Sequence, residues 1–400
     1  MIHSLKVFFK VVLPALLISQ QAIATGNSEN GIYSYIYTPD MSPSNPRYTE
    51  LEDSITNSGI DGVFLVEEWD QVEPMPNTFD WSNLDHWLTL SIQHDKKLSI
   101  GVVGGRDAPS WLAQPPYNVP TVSLGWDKDG KVGGDCEYKE FPVPWNAYYK
   151  SRYLNMMTSL RSYLQGFTVP GYSGSALSRL EIVKVAGINV STTELKLPVS
   201  NSVNDTYCLP ASGIDNTTAW KNAGYQPIKI LSAWGTIAAG LASTYSAKHL
   251  AVSIITGYKA FPKLNNQGNP IVGPNASTGD FLDPLTEDIL AAGTSTYAGR
   301  FHAAWDGLGT NINANSGIYT ELQSNVLQAN PAGEIGFQLN TRAGTATTGC
   351  GNTHHVCTQA EYQVVLQSGI NLGAKYLEVH TNDAARFPAS MFSTYSAMIQ

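Results

Sequence analysis

The chain alternates eight times between a short β-rich segment and a segment with helical periodicity. Strict strand–helix alternation predicts an α/β protein with a parallel sheet, because parallel neighbours need a crossover connection. Eight repeats predict that the sheet closes into a (β/α)8 TIM barrel and not an open doubly wound sheet. The predicted strands are 32–37, 62–67, 98–103, 180–186, 250–255, 301–305, 335–339 and 376–380. The predicted helices are 47–58, 81–94, 146–164, 228–246, 283–293, 318–328, 359–368 and 389–399.

The first 24 residues have the pattern of a secretory signal peptide. Lys6 and Lys10 precede an apolar run at residues 11–18, and an Ala-x-Ala cleavage site ends at Ala24. The run is shorter than the roughly 18 residues that span a bilayer, and an uncleaved anchor is the alternative. We therefore expect a signal peptide at 1–24 and one barrel domain at 25–400. The mature protein would be secreted or periplasmic, without a membrane segment after cleavage.

The charge and the aromatic content of the chain limit the kinds of molecule that it is expected to bind. The chain has 33 acidic and 24 basic residues, a formal net charge of −9, and offers no basic track for nucleic acid. Only 14% of the residues are charged, whereas there are 20 Tyr and 9 Trp. Exposed aromatic faces suit neutral ligands, although core packing explains most rings equally well. We expect an oligo- or polysaccharide partner and no nucleic acid, and the sequence leaves the oligomeric state open.

Four cysteines occur, at Cys136, Cys208, Cys350 and Cys357. An even number in an exported chain predicts disulfides. Cys350 and Cys357 are close in sequence and are expected to close one loop. Cys136 and Cys208 would then join two other loops.

Long connections follow four of the predicted strands, at 104–144, 187–219, 256–282 and 340–358. In a barrel all strand-to-helix loops lie at the C-terminal face, where active sites are built. All four cysteines lie in these loops, which indicates that they brace that face. Elaboration of one face predicts that the function lies there.

Alternation along the last three predicted strands gives the barrel a polar upper interior. Glu378 and His380 point inward from the eighth strand, Gln338 and Asn340 from the seventh, and Asp306 from the end of the sixth. A purely structural barrel fills these layers with branched apolar residues. The pattern therefore predicts an interior that binds a ligand or performs chemistry.

The segment "GVFLVEEWDQVEPMPNTFDWSNLDHWL" carries a family resemblance. Trp69 ends the second predicted strand, Glu73 and Pro74 follow, and an aromatic-Asp-Trp triplet and a Leu-Asp pair open the next helix. "PSWL" after the third strand and "FPVPWN" before a long helix extend the likeness. This arrangement resembles the clan A glycoside hydrolases, in particular the β-galactosidase-like families. The resemblance implies a barrel that hydrolyses O-glycosidic bonds with two carboxyl groups.

The catalytic positions depart from that resemblance. In the clan an Asn-Glu pair ends the fourth strand and supplies the acid/base, and a Glu at the end of the seventh strand is the nucleophile. Here Val190 follows Asn189, and the first acid comes at Glu194. The seventh strand ends "GFQLNTR", without a carboxylate. The catalytic pair therefore cannot be carried over from the family.

Three carboxylates are candidates for catalysis. Glu194, in "TTELKLP", resembles the acid of barrel glycosidases that lies beyond the strand end, and we predict it to be the proton donor. A solvated loop acid is the alternative. We predict Glu378 as the second carboxylate, because an inward Glu is costly unless paired or used. Its alternative is a structural pair with Lys184 or Arg106. Asp306 is the next candidate for the second role.

Further residues near strand ends are expected to contact the sugar. Indole faces at Trp69 and Trp111 can stack on a sugar ring, although plugging the barrel rim explains Trp111 equally well. Glu68, at the end of the second strand, can accept from sugar hydroxyls. The predicted substrate-binding residues are Trp69, Trp111, Asn189, Glu68, Gln338, Asn340 and His380.

Two other functions remain open. The missing seventh-strand carboxylate suggests a catalytically inactive, glycan-binding barrel, and the fold also supports lyases and isomerases. No dinucleotide fingerprint, P-loop, Gly-x-Ser-x-Gly elbow or His-Glu-x-x-His motif is present. His354 and His355 beside Cys357 are the only hint of a metal, and such pairs are usually surface polar residues. We expect no metal and no cofactor.

Overall fold

The computed structural model describes residues 29–38, 43–45, 47–127, 136–190, 192–199, 208–209, 212–275, 277, 279–310, 312–328, 334–340, 350 and 355–399. The predicted signal peptide lies outside these residues. Among them, no helix combines the length and the apolar character that a membrane span needs.

Strands and helices alternate along the described chain. The strands are β1 (Gly31–Tyr37), β2 (Gly62–Glu68), β3 (Lys97–Val103), β4 (Thr121–Asp127), β5 (Cys136–Pro142), β6 (Leu180–Lys184), β7 (His249–Ile254), β8 (Phe301–Leu308), β9 (Glu334–Leu339) and β10 (Tyr376–His380). The helices are α1 (Tyr48–Thr56), α2 (Trp69–Val72), α3 (Ser82–Gln93), α4 (Ala147–Gly166), α5 (Ala176–Arg179), α6 (Asn216–Asn222), α7 (Pro227–Thr244), α8 (Pro284–Thr296), α9 (Gly317–Leu322), α10 (Gln359–Asn371), α11 (Thr381–Arg386) and α12 (Ala389–Ser396). A π-helical segment, Gln323–Gln328, continues α9.

Eight strands close into a parallel barrel in the order β1-β10-β9-β8-β7-β6-β3-β2. Each of the eight predicted strands is present, and their bounds differ from the prediction by no more than three residues. The predicted (β/α)8 barrel is therefore confirmed. The strands could be predicted from their runs of β-branched and aromatic residues. Such runs occur because both faces of a barrel strand are covered.

Residue parity divides the barrel into an outer and an inner core. Odd-numbered apolar side chains of β8, such as Phe301 and Ala303, pack outward against the helices. The even-numbered side chains of β8 point inward. A separate apolar cluster fills the middle of the barrel, formed by Tyr33, Ile182, Ala251, Ala304 and Tyr376. This layer separates the two ends of the barrel interior.

Local capping fixes several helix starts. Asn146 accepts hydrogen bonds from the backbone N–H groups of Tyr148 and Tyr149 at the start of α4. Thr358 and Glu361 form a reciprocal capping box at the start of α10. These caps fix the points at which the preceding strand-to-helix loops end. They therefore help to position the loops of the C-terminal face.

The long loop after β3 contains a feature that the sequence analysis missed. β4 and β5 pair as an antiparallel hairpin over seven residue pairs, from Thr121↔Pro142 to Asp127↔Cys136. Cys136, at the end of this hairpin where its two strands are connected, is bonded to Cys208 in the loop after β6, with the two Cα atoms 5.3 Å apart. The predicted pairing of the cysteines is confirmed.

The second disulfide, Cys350–Cys357, lies within the loop after β9. Both bonds therefore brace strand-to-helix loops at the C-terminal face, as the sequence predicted. Cys350 and Cys357 are both buried.

We expect Gly336→Ala to destabilise the barrel. A Cβ at Gly336 of β9 would lie 2.4 Å from Cζ of the Tyr376 ring in the central apolar layer. Overpacking of this kind costs about 1–3 kcal/mol. The matched control is Gly235→Ala on α7, where no atom lies within 4 Å of the added Cβ. It should stabilise by about 0.5–1 kcal/mol, because Ala restricts the unfolded chain. Urea unfolding measures both, and equal midpoints would contradict the prediction.

Candidate active site at the C-terminal face

The three candidate carboxylates meet at the upper end of the barrel interior. Glu378 points inward from β10 and Asp306 from β8. Glu194 lies in the loop after β6 and forms a parallel bridge with Ser253 of β7. The backbone N–H of Leu195 donates to the Ser253 carbonyl at 2.7 Å, which holds this loop against the barrel. The structure therefore brings the three residues together as the sequence predicted.

Asn189 positions the loop that carries Glu194. Its buried Oδ1 accepts from the backbone N–H groups of Gly104, at 3.2 Å, and Gly187, at 3.1 Å. Its Nδ2 donates to the Thr192 carbonyl at 2.7 Å. Both ends of the amide are occupied within the protein. The prediction that Asn189 binds substrate is therefore wrong, and its role is to fix the backbone.

The deepest interaction of the site is an ion pair. Lys184 of β6 and Glu378 of β10 are both buried, and Nζ lies 2.5 Å from Oε1. The ammonium also lies 4.6 Å from the Phe64 ring centroid and 3.4 Å from the hydroxyls of Ser253 and Tyr376. Burial raises the pKa of Glu378, Lys184 lowers it, and the charge of Glu194 raises it. The structural pair that the sequence left as the alternative is thus present.

Asp306 occupies a different environment. Its two carboxylate oxygens are shielded from solvent and have no hydrogen-bond partner among the described residues. Burial and the charges of Glu194 and Glu378 raise the pKa of Asp306 well above its usual range, against the lowering effect of Lys184 and Lys196. Asp306 therefore binds its proton more tightly than an ordinary aspartate does.

A count of the charges in the cluster also points to Asp306 as the group that binds a proton. Glu378 is paired with Lys184, and Glu194 lies 3.2 Å from Nζ of Lys196 at the mouth of the barrel. Three carboxyl groups thus meet two ammonium groups. The cluster is electroneutral when one carboxyl group is protonated, and Asp306 is the group without an ammonium of its own. A carboxyl group that binds its proton tightly and one that faces an ammonium group are the pair that acid/base chemistry uses.

Glu68 belongs to a second charged group at the rim. Its Oε1 lies 3.3 Å from Nη2 of Arg106 and accepts a hydrogen bond from the Tyr37 hydroxyl. Burial and the charges of Asp107 and Asp70 raise the pKa of Glu68 to about 7, although Arg106 lowers it. Its side chain is partly exposed, so contact with a sugar stays a prediction.

The two predicted tryptophan platforms differ. Trp69 is fully buried; its Nε1 donates to Glu73 at 2.8 Å, and its ring packs edge-on against Tyr149 and Tyr153. The prediction that Trp69 stacks on a sugar is wrong, because its ring has no exposed face. Trp111 is half-buried, and its Nε1 donates to the Glu73 carbonyl at 2.9 Å. Its role as a platform stays a prediction.

The remaining predicted binding residues lie on β9 and β10. Gln338 is half-buried and is in register with Glu378 on the neighbouring strand. Asn340 is exposed just beyond β9, and its backbone N–H donates to the Leu308 carbonyl at 2.9 Å. His380 is mostly buried at the start of α11, with its ring 6.3 Å from that of Tyr35. Their contact with substrate stays a prediction.

Sequence reasoning undervalued two lysines. Lys184 entered only as a possible structural partner of Glu378, and Lys196 was not singled out. Both could have been found from their spacing: Lys184 has the inward parity of β6, and Lys196 lies two residues after Glu194. Acids and bases on facing strands of a closed barrel are the signal that was available.

Solved structures share this fold. The catalytic domain of a β-amylase from Paenibacillus polymyxa matches with a TM-score of 0.60 and 11% sequence identity, over 95% of this chain and 100% of that chain. The catalytic core of a xylanase A matches with a TM-score of 0.50 and 8% identity, over 88% of this chain and 87% of that chain. A β-galactosidase from the psychrophilic Marinomonas ef1 has a TM-score of 0.49 and 12% identity, over 92% of this chain and 59% of that chain.

No protein-family profile matches the sequence, and no curated protein matches it either. At such low identity the likeness to solved structures shows the fold alone. That fold is a closed (β/α)8 barrel that solved glycoside hydrolases share, so the resemblance drawn from the sequence is confirmed at the level of the fold.

We expect Lys184→Met to destabilise the protein by about 3–5 kcal/mol, because Glu378 would stay buried without its partner. The double variant Lys184→Met/Glu378→Gln should recover much of this loss. Lys196→Met is the matched control and should cost about 1 kcal/mol or less, since its pair with Glu194 is partly exposed. Urea unfolding of the four proteins measures the coupling. A double variant no more stable than Lys184→Met would contradict the expectation.

The burial of Glu67 predicts that the free energy of unfolding depends on pH. It points outward from β2 into the barrel wall and is fully buried. Burial, opposed by the Thr38 hydroxyl, raises its pKa from 4.5 to about 8. The folded state therefore binds this proton more tightly than the unfolded state, and stability falls as the pH rises through this interval. We expect Glu67→Gln to make the loss between pH 5 and about pH 8 smaller, because one of the groups with a raised pKa is removed, and the exposed control Asp53→Asn to keep the full loss. A wild-type unfolding free energy that rises over this interval would contradict the assignment.

Proposed function

We propose that this protein is an exported glycoside hydrolase that cleaves O-glycosidic bonds of an oligo- or polysaccharide, with Glu194 and Asp306 as its two reacting carboxyl groups. The observation that carries the proposal is the meeting of Glu194, Asp306 and Glu378 with only two ammonium groups at the C-terminal face. Glycoside hydrolysis needs one protonated and one ionised carboxyl group at the same bond. The similarity of the fold to solved glycoside hydrolases supports the same reaction class.

The electrostatics favour a division of roles that differs from the sequence-based one. The surroundings of Asp306 raise its pKa, so it is the better proton donor to the leaving oxygen. Glu194, beside Lys196, is the better ionised partner, acting on the anomeric carbon or on a water molecule. The prediction of Glu194 as the proton donor is the reverse of this assignment, and kinetics on activated substrates separates the two.

Glu378 has a supporting role in this proposal. Its pairing with Lys184 occupies it electrostatically, and its side chain is fully buried. Its charge raises the pKa of Asp306 and so keeps the proton in place. The second reacting carboxyl group is therefore Asp306 and not Glu378.

Export is supported by two separate features. The N-terminal segment has the basic, apolar and Ala-x-Ala pattern of a signal peptide. The two disulfides among the described residues suit an oxidising compartment.

A glycan-binding barrel without hydrolytic activity is the second candidate. The observation that favours it is the end of β9, where Gln338 and Asn340 stand without a carboxylate. In this case the buried carboxylates would only organise the interior. Saturable sugar binding without cleavage, unchanged in Glu194→Gln and Asp306→Asn, would establish it.

The test begins with a screen of the mature protein against aryl glycosides and natural oligosaccharides. On the natural substrate we expect Glu194→Gln and Asp306→Asn each to lower kcat by about 10²–10⁴-fold, the usual contribution of a proton-transfer group. Asp280→Asn, an exposed acid of the same face, should retain wild-type activity.

Dinitrophenyl glycosides then assign the roles. Their leaving group departs without a proton, so Asp306→Asn should regain most of its activity on them, whereas Glu194→Gln should stay impaired. The opposite pattern would make Glu194 the proton donor, as the sequence suggested. Full activity of both variants on the natural substrate would remove these residues from the mechanism.

A further inference from the structure

A second polar cluster lies at the other end of the barrel interior. It consists of Glu29, just before β1, His249 at the start of β7, His302 on β8 and Glu334 at the start of β9. The central apolar layer separates it from the carboxylates described above. The proposed hydrolytic reaction does not use any of its members.

Four potential ligand atoms converge in this cluster, one from each residue and all within 4.8 Å of one another. His302 Nε2 lies 3.0 Å from His249 Nδ1 and 2.8 Å from Glu334 Oε2. His249 Nδ1 lies 3.8 Å from Glu334 Oε2, and His302 Nε2 lies 3.9 Å from Glu29 Oε1. Metal–ligand bonds of 2.0–2.1 Å at tetrahedral angles place ligand atoms about 3.3 Å apart, which lies within this range.

The contacts show which atoms face the centre of the cluster. His249 Nε2 lies 3.1 Å from Glu29 Oε2, so Nδ1 is the ring atom that faces the other members. A cation at the centre would be shared by this nitrogen, His302 Nε2 and the oxygens of Glu334 and Glu29.

We propose that these four residues form a binding site for one divalent transition-metal ion of the zinc class. Two imidazoles and two carboxylates suit Zn²⁺, whereas Ca²⁺ and Mg²⁺ prefer an all-oxygen shell. His302 is fully buried, while Glu334 and His249 keep part of their surface exposed at the lower end of the barrel. An ion can therefore enter from solvent without opening the barrel.

The site acts as a brace. Its ligands join the segment before β1 to three consecutive strands, β7, β8 and β9, so one ion would tie these elements together at the lower end of the barrel. The site lies at the N-terminal face, where residues of the barrel fold serve stability and not catalysis. This differs from the expectation of no metal, and the weak sequence hint at His354 and His355 is not part of it.

The experiment uses the mature chain, stripped with a chelator and dialysed against a metal-free buffer. Titration with Zn²⁺, followed by calorimetry and metal analysis, should give one ion per chain and a higher Tm. Ca²⁺ and Mg²⁺ should not compete. Co²⁺ in the same site should give the intense visible absorption of tetrahedral coordination.

Two variants report on the ligands. His249→Gln and Glu334→Gln, at the more exposed positions, should each weaken Zn²⁺ binding by more than about 100-fold, since even the loss of an outer-shell partner costs 10–100-fold. His355→Gln is the matched control, because this exposed histidine also pairs with a glutamate, Glu361, at 2.8 Å. It should retain the wild-type stoichiometry. A wild-type protein that binds no Zn²⁺, or binds it equally well in all three variants, would overturn the proposal and leave a network held by protons alone.

Discussion

The buried ion pair between Lys184 and Glu378 is the constraint on which the upper half of the barrel depends. Two charges removed from water are tolerated only when they satisfy each other. Their pairing at 2.5 Å favours the charged form of Glu378, against the effect of burial on its pKa. The charges of Glu378 and Glu194, together with burial, raise the pKa of Asp306. The proposed reaction thus follows from the electrostatics of the strands and not from a motif, since no family sequence pattern marks these positions.

The barrel interior is divided into two polar ends by one apolar layer. Tyr376 belongs to both neighbourhoods: its hydroxyl lies 3.4 Å from Nζ of Lys184, and its ring lies 5.5 Å from that of His302. A low-dielectric layer between the ends limits proton exchange between them through the interior. The upper end carries the long, disulfide-braced loops and the three carboxyl groups. The lower end has mostly short connections, the one before β6 excepted, and the four converging residues. Each end can therefore serve a separate role, one chemical and one structural.

Prediction from the sequence worked where a residue's role depended on periodicity. Inward and outward positions alternate along a strand whatever surrounds it, and this placed Glu378, Gln338 and Asp306 in the interior. Prediction failed where the role of a residue depended on the groups that surround it in the folded protein. Trp69 and Asn189 lie at strand ends like true binding residues, yet the Glu73 carboxylate and the glycine backbone use their polar atoms fully. The histidine cluster was missed for the same reason. His249, His302 and Glu334 start or lie near the start of separate strands, and no spacing in the sequence connects them.

By itself, the sequence determined the number of barrel strands, the closure of the barrel, the face that carries the long loops and the cysteine pairing. These depend on local periodicity, loop length and chain order, which are properties of neighbouring residues. Only the tertiary structure decided which carboxyl group has an ammonium partner, which tryptophan is exposed and which histidines converge. Those outcomes depend on distances between side chains from strands far apart in the chain. Coulomb energies and desolvation change strongly over a few ångströms, so they are fixed only when the barrel closes.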